Sequence, residues 1–375
     1  MAHGTWDPAF EPLIDAFRAN FADHGEVGAA LCVIVDGTTV VDSWAGVTSL
    51  DEPSPWTGDT LVNAFSVGKG VTAALAAHCV ASGHLSWDTR AAQVWPEFGT
   101  HGKETTTLSD LLGHRAGLPG IRELLPDGVM LEWDTMTSHL AREAPWWVPR
   151  TEHGYHVNTF GFLVGETLRR ATGTGVRELF LERLFAPLEA DLHMGLSPDD
   201  HYRVATLIWN DAPTRHGIDP PTGHDAEILQ HRAYANPPGL SGVGWVNSGP
   251  WRSATMPSTN MHASARGVAR LFSALARPGL LLPAEVLTEC ATETSDGIDN
   301  VLGRRTRFGR GFQLPIPERS FGPNSRAFGH FGAGGSLGFA DCDAGVGFGY
   351  VMNRMGSGWQ NERNSSLVRS LYECL

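Results

Sequence analysis

Ser66 and Lys69 stand three residues apart in "NAFSVGKGVTAALAAHC", residues 63 to 79. The run from 66 to 82 reads as an apolar helix stopped by Gly83. Residues three apart share a helix face, so the hydroxyl and the amine point the same way. Ser66 falls in the first turn, where unpaired N–H groups and the positive end of the helix dipole face outward. A serine hydroxyl is a weak nucleophile until a neighbouring base takes its proton. A lysine becomes that base when burial and positive surroundings lower its pKa. The same helix end would stabilise an oxyanion formed beside Ser66. Lysine is also scarce: Lys69 and Lys103 are the two in the chain, against 26 arginines. With apolar residues on both sides, Lys69 is expensive to bury without a purpose. The bland alternative is an N-cap serine followed by a surface lysine.

Three further segments bear on this pair. They are "LSDLLGHRAGLPG" (108–120), "HGYHVNTFGFLVGETLRRATG" (153–173) and "FGHFGAGGSLGFAD" (328–341). Together with Ser66-Val67-Gly68-Lys69 they resemble, in order, the motifs of serine hydrolases with the class C β-lactamase fold. That group includes penicillin-binding proteins, class C β-lactamases and family VIII carboxylesterases. The wording of the last two segments is most similar to the esterase branch. The resemblance runs from about residue 25 to 355, and four ordered motifs are far more specific than one.

The resemblance implies a set of roles. Ser66 is the nucleophile, and Tyr155, one of five tyrosines, meets Ser66 and Lys69 in space. A tyrosine beside a lysine cation can have its pKa lowered and shuttle a proton. The alternative is a half-buried tyrosine with a satisfied hydroxyl. The N–H groups of Ser66 and Ala333 are the candidate oxyanion hole. His330, Phe331, Gly332, Gly334 and Asn158 are the candidate substrate contacts. No metal and no organic cofactor is implied. Two departures from the family pattern matter. The Tyr-x-Asn motif has Val157 where Asn is usual, and Asn158 comes one residue late, which turns its amide to a different face. The Lys-Thr-Gly of classical β-lactamases is replaced by His330-Phe331-Gly332. His-Phe holds an anionic carboxylate less well than lysine, so a neutral ester is the expected substrate.

The elements that must position these residues give an α+β fold, β-lactamase/transpeptidase-like. Residues 7–23 read as an amphipathic helix through Phe10, Leu13, Ile14, Phe17 and Phe21. "AALCVIVDGTTVVDSWAGV" reads as strand, Asp-Gly turn, strand. The C-terminal end supplies glycine-rich strands with a turn near Asp343-Ala344-Gly345, then a helix over about 360–374. Between them helices are expected at 66–82, 107–114, 134–143, 158–172, 175–185 and 263–277. The segment 205–260, rich in Pro, Gly, Asn and Trp, reads as a long loop-bearing connection. The expected architecture is an antiparallel sheet built from both termini and flanked by terminal helices, with a mainly helical region inserted. The expected division is 1–65 and 260–375 for the sheet domain and 66–259 for the helical one, with the site between them.

Bulk properties narrow the function classes. A formal charge of −13 without a basic tract argues against nucleic acid and anionic membranes as partners. No apolar run is long enough to span a membrane. The first residues lack a basic stretch followed by an apolar one, so no export signal is expected. Five scattered cysteines without C-x-x-C fit reduced thiols in a cytoplasmic protein. Sixteen histidines occur, but without H-E-x-x-H. "GGSLG" (334–338) matches the nucleophile elbow of another hydrolase class, with Ser336 as nucleophile. That class needs a later histidine, and none follows His330. The expectation is therefore a carboxylesterase acting on a small-molecule ester, with the oligomeric state left open. An acyltransferase with the same residues, a β-lactamase, and a non-catalytic penicillin-binding-like module are the alternatives.

Overall fold

The computed structural model describes residues 2–209, 221 and 223–375. Three strands come from the start of the chain, β1 (His3–Trp6), β2 (Gly28–Val35) and β3 (Thr38–Gly46). The residues Asp36 and Gly37 join β2 to β3 with positive φ at both positions, the turn that matches the twist of a hairpin. Three short strands, β4 (Val62–Asn63), β5 (Leu192–Met194) and β6 (Met261–Ala263), form a small sheet in the order β4-β6-β5. A hairpin pairs β7 (Ser295–Ile298) with β8 (Arg305–Phe308). The last strands are β9 (Phe328–Phe331), β10 (Leu337–Asp341) and β11 (Val346–Met352).

The main sheet has the order β1-β3-β2-β11-β10-β9, and every pair in it is antiparallel. It is covered on both faces, and β2 shows how. Side chains alternate across a strand. Ala29, Leu31 and Val33 face α1 (Glu11–Asp23), while Ala30, Cys32 and Ile34 belong to the core on the opposite side. That opposite core includes Val268, Leu271 and Phe272 of a helix at Ala265–Ala276. Each such side chain contributes roughly 1.5–3 kcal/mol when fully buried. Glycine makes the approach of this helix possible. A Cβ at Gly347 of β11 would sit 2.2 Å from Ser273 N, and one at Gly349 would sit 2.4 Å from Ala265 O. The glycine-rich wording of the C-terminal strands is thus a helix-packing requirement.

Two further helices matter for the site, α2 (Val67–Ala81) and α3 (Thr159–Thr172), which pack on each other. The helix Ala265–Ala276 is α4, and the last, Glu362–Cys374, is α5 and packs on α1. The antiparallel sheet drawn from both ends and its terminal helices follow the sequence expectation.

Several elements differ from that expectation. The stretch 205–260 carries helices at Asp225–Ala235 and Gly249–Ser253, though residues 210–220 and 222 lie outside the described ones. The first of these buries Leu229, Ala233 and Ala235 alone, too few to leave an apolar stripe legible in sequence. The second is one turn, set by Ser248 Oγ accepting from Trp251 N. Strand β1, the β7–β8 hairpin and a helix at Ala284–Cys290 were not anticipated either. β1 is an edge strand with an exposed, polar reading.

One buried ion pair ties α5 to the rest. Arg363 Nη1 donates to Glu26 Oε1 at 2.8 Å, and Tyr350 OH donates to Glu26 Oε2. Arg363 Nη2 also reaches Gly334 O at 3.3 Å. Breaking such a pair leaves an uncompensated buried charge. Arg363→Met is expected to destabilise the protein by about 3–5 kcal/mol, read as a lower urea midpoint. A midpoint equal to that of the unsubstituted protein would refute the pairing.

Candidate active site

The chain leaves β4 through Ala64, whose N–H donates to Met261 O at 2.8 Å. Phe65 then adopts φ +50°, a left-handed conformation that a bulky residue enters only at a cost of ~1–3 kcal/mol. This sharp step delivers Ser66 to the N-cap of α2. The Phe65 ring is held edge-on to Trp209, with centroids 6.4 Å apart. Ser66 makes no side-chain capping bond, so its hydroxyl is left for another partner. That partner is Lys69: Nζ lies 3.0 Å from Ser66 Oγ and 3.0 Å from the carbonyl oxygen of Ser258.

Lys69 is fully buried. Among the described residues no carboxylate pairs with it, and burial alone holds its pKa well below the ordinary lysine value. A neutral amine has two N–H donors and one lone pair. Ser258 O takes one donor, which leaves the lone pair free to face Ser66. The Ser258 side chain is itself fixed, with Oγ accepting from Gly161 N of α3 at 2.6 Å.

Tyr155 presents its ring to Lys69, with Nζ 4.8 Å from the centroid. Its main chain is anchored by Asp299, whose two oxygens accept from Tyr155 N at 3.0 and 2.9 Å. The same carboxylate accepts from Val301 N, Leu302 N and Thr306 Oγ1. His114 packs on the ring at 5.0 Å, and its Nδ1 accepts from His156 N at 3.1 Å. His156 Nε2 in turn accepts from Leu118 N at 3.0 Å. The segments 108–120 and 153–173 are therefore laced together around the tyrosine. The Tyr155 hydroxyl makes no closed hydrogen bond, yet it lies near enough to Ser66 for that hydroxyl to favour its ionised form. The larger effect is the opposite one. Burial holds the Tyr155 pKa well above the usual phenol value. The expectation of a lowered tyrosine pKa is corrected here, because burial, which disfavours the charged phenolate, outweighs the help from Ser66.

The third segment closes the site from β9. Gly332 N donates to Ser336 O at 2.7 Å, and a Cβ on Gly332 would sit 2.4 Å from Ala64 O. Glycine is required there to bring this loop against the residue two before Ser66. Neither Ser66 N–H nor Ala333 N–H is donated to a main-chain acceptor among the described residues. His330 is buried, with its ring stacked on Tyr155 at 6.1 Å. Burial, the largest cause, holds its pKa well below the ordinary imidazole value. Its Nδ1–H donates to Phe331 O at 2.7 Å, and Nε2 has no partner.

Two candidate contacts are corrected, and a third is partly engaged elsewhere. The Phe331 side chain points to the other face of β9 and stacks on Phe321 at 5.0 Å, as alternation along a strand requires. Gly334 is a loop anchor: its N–H donates to Gly358 O at 3.1 Å and its carbonyl accepts from Gly356 N and Asn361 Nδ2. Asn158 Nδ2 donates to Ala233 O at 2.8 Å and Ser241 Oγ at 3.0 Å, while its Oδ1 has no partner among the described residues. Ser336 is followed directly by β10, with none of the helix that a nucleophile elbow needs.

Other residues at the site carried no sequence signal. Phe65, Ser258 and Asp299 act through φ, a carbonyl and main-chain contacts, none of which leaves a pattern. Trp359 stands edge-on to Tyr155 at 4.9 Å. Several other tryptophans are anchored by hydrogen bonds, Trp133 to Glu166, Trp146 to Gly120 O and Trp245 to Asp127.

A sheet drawn from both termini and a serine–lysine pair opposite a buried tyrosine define a serine hydrolase of the β-lactamase-like class. The chain belongs to the beta-lactamase family, whose model matches residues 11–373. It is 32% identical over 362 residues to the esterase/beta-lactamase LipL of Mycobacterium tuberculosis (strain ATCC 25618 / H37Rv), covering 94% of this chain and 83% of LipL. Among solved structures it is similar to a family VIII carboxylesterase, with TM-score 0.91 and 35% identity over 100% of both chains. A penicillin-binding protein homolog from Caulobacter crescentus is similar at TM-score 0.91 and 34% identity, again over 100% of both chains. Among the described residues no helix is long and apolar enough to cross a membrane.

Proposed function

We propose that this protein is a carboxylesterase that cleaves small to medium esters through a Ser66 acyl-enzyme. The observation that carries the reading is the 3.0 Å approach of Lys69 Nζ to Ser66 Oγ, with the amine buried and without a carboxylate partner. The neutral amine takes the Ser66 proton as Oγ bonds to the ester carbonyl carbon. The N–H groups of Ser66 and Ala333 hold the oxyanion. The C–O bond to the alcohol then breaks. Tyr155, a neutral phenol, gives its proton to the leaving oxygen and recovers one from the Lys69 ammonium. In the second half water attacks the acyl carbon, and its proton passes through Tyr155 to Lys69. The lysine returns it to Ser66 Oγ as the acid leaves. His330 and Gly332 line the strand beside the reacting carbonyl.

We propose further that the site lies between a sheet domain, residues 1–65 and 260–375, and a helical region, 66–259. The main sheet drawing every strand from the first range supports this. A cytoplasmic setting fits five free thiols.

The test is p-nitrophenol release from p-nitrophenyl butyrate, with mass analysis of the quenched enzyme. A butyryl adduct on the Ser66 peptide is expected, and turnover with the label elsewhere refutes the scheme. A cephalosporin assayed beside it reads β-lactamase activity, and an added alcohol acceptor reads acyl transfer.

The pH dependence follows from Lys69. Acylation needs the neutral amine, and the protonated form cannot accept the Ser66 proton. Since burial lowers the lysine pKa, kcat/KM is expected to reach its plateau well below the ordinary lysine pKa and to fall on acidification. A rate that keeps climbing up to about pH 10.4, the ordinary lysine value, would contradict a buried neutral base.

A further inference from the structure

Trp359 separates Tyr155 from two arginines. The Arg304 guanidinium stands 4.7 Å from the indole centroid and that of Arg319 stands 5.2 Å from it. Both line a cavity of about 370 Å³ with Arg305, Ile316, Glu318 and Trp359. Arg305 is paired with Asp296 at 2.7 Å. Among the described residues Arg304 and Arg319 have no carboxylate within ion-pair distance. Arg319 is only 9% exposed. Burial, then repulsion by Arg304, pushes its pKa down to about 10. A buried guanidinium without a partner is strongly disfavoured, and an indole face offsets little of that when two cations share it. Asp299, a buried carboxylate that acts on Arg319 through space, is spent on Tyr155, Val301, Leu302 and Thr306. Glu318 is exposed; its charge offsets part of the repulsion on Arg319, but among the described residues it forms no ion pair. The two guanidinium forks are left for a ligand whose geometry they match bidentately, a carboxylate.

We propose that the cavity beside Trp359 is a carboxylate subsite, so that the ester this enzyme takes carries a negative charge; the proposal rests on the esterase reading. The neutral-ester expectation, drawn from the missing lysine of the third segment, is thereby revised. The charge that lysine would have supplied comes from the β7–β8 hairpin and the segment before β9. One indole stands between these cations and the tyrosine at the reacting centre.

The test compares three substrates: p-nitrophenyl butyrate, p-nitrophenyl hemisuccinate with the carboxylate on the acyl side, and 3-carboxy-4-nitrophenyl butyrate with it on the alcohol side. In Arg304→Gln, an exposed position, the ratio of anionic to neutral kcat/KM is expected to fall about tenfold or more for one of the two anionic esters. In Arg304→Gln/Arg319→Gln it falls further. Equal losses on neutral and anionic esters, or no loss, overturn the subsite. Calorimetric titration of Ser66→Ala with phenylacetate and with phenylacetamide separates this from the esterase reading. Phenylacetate binding that disappears in Ser66→Ala/Arg304→Gln supports the subsite even if wild type turns over no ester, and absence of phenylacetate binding refutes it even if neutral esters are cleaved.

Discussion

Ser66→Ala is expected to lower kcat for p-nitrophenyl butyrate by ~10⁴-fold or more, with the melting temperature unchanged. The size of the effect follows from the bond that can no longer form. Without Oγ there is no acyl-enzyme, and the residual rate comes from the oxyanion donors and binding alone. Stability is spared because this hydroxyl does little for the fold. It caps no backbone N–H of α2, and its hydrogen bond is to the side chain of Lys69. The turn that delivers it is held by Phe65, Ala64 and Met261, which the substitution leaves alone. The butyryl label on the 66-containing peptide is expected to vanish with the activity. Retention of more than about a tenth of wild-type kcat would move the nucleophile elsewhere.

The sequence announced this site through residue types that are costly to misplace. A lysine in an apolar run implied a buried amine, and the amine at Lys69 is fully buried. The other lysine is buried too, yet nothing in "HGKETTT" suggested it. Lys103 donates to Ala141 O and Glu143 O and stands over the Phe98 ring, a structural use of the same residue type. Scarcity alone therefore did not separate the two; the helical spacing from Ser66 did.

The sheet was legible for a related reason. Alternation in β2 and the Asp36-Gly37 turn depend on local periods that a short stretch displays. Asp299 holds Tyr155 across 144 residues, and Ser258 holds Lys69 across 189. Such partners are chosen by the fold and leave no local period. Phe331 and Gly334 misled for the opposite reason. They sit inside a motif that does approach Ser66, but strand alternation and loop anchoring decide which of its atoms face the substrate. The lowered tyrosine pKa failed because the phenol is fully buried, and that burial is not shown by the sequence.

Lys69→Met is expected to remove about 10³-fold or more of kcat/KM and at the same time to stabilise the fold. The first effect is the loss of the base. Methionine offers no lone pair able to take the Ser66 proton, and among the described residues no other base is hydrogen-bonded to that hydroxyl. The second effect is a balance of opposing contributions. The substitution leaves Ser258 O without the amine donor, a loss of about 1 kcal/mol. Against this, an apolar side chain of similar length no longer requires an ammonium to be stripped of water and proton on folding. Replacing buried ionic groups by apolar ones commonly stabilises by ~1–4 kcal/mol, so the net change is expected to favour the variant. The pH dependence distinguishes this origin from mere packing. Burial lowers the Lys69 pKa in the folded state, so over that range the unfolded chain binds more protons and wild-type stability rises with pH. The advantage of Lys69→Met is therefore expected to shrink as pH rises toward about 10.4, the value for an unperturbed lysine. Urea melts of both proteins from neutral to alkaline pH measure it. A variant that is less stable at neutral pH, or a difference that does not change with pH, would mean that Lys69 is carried in the fold as a paired cation and that Ser66 has no neutral amine beside it.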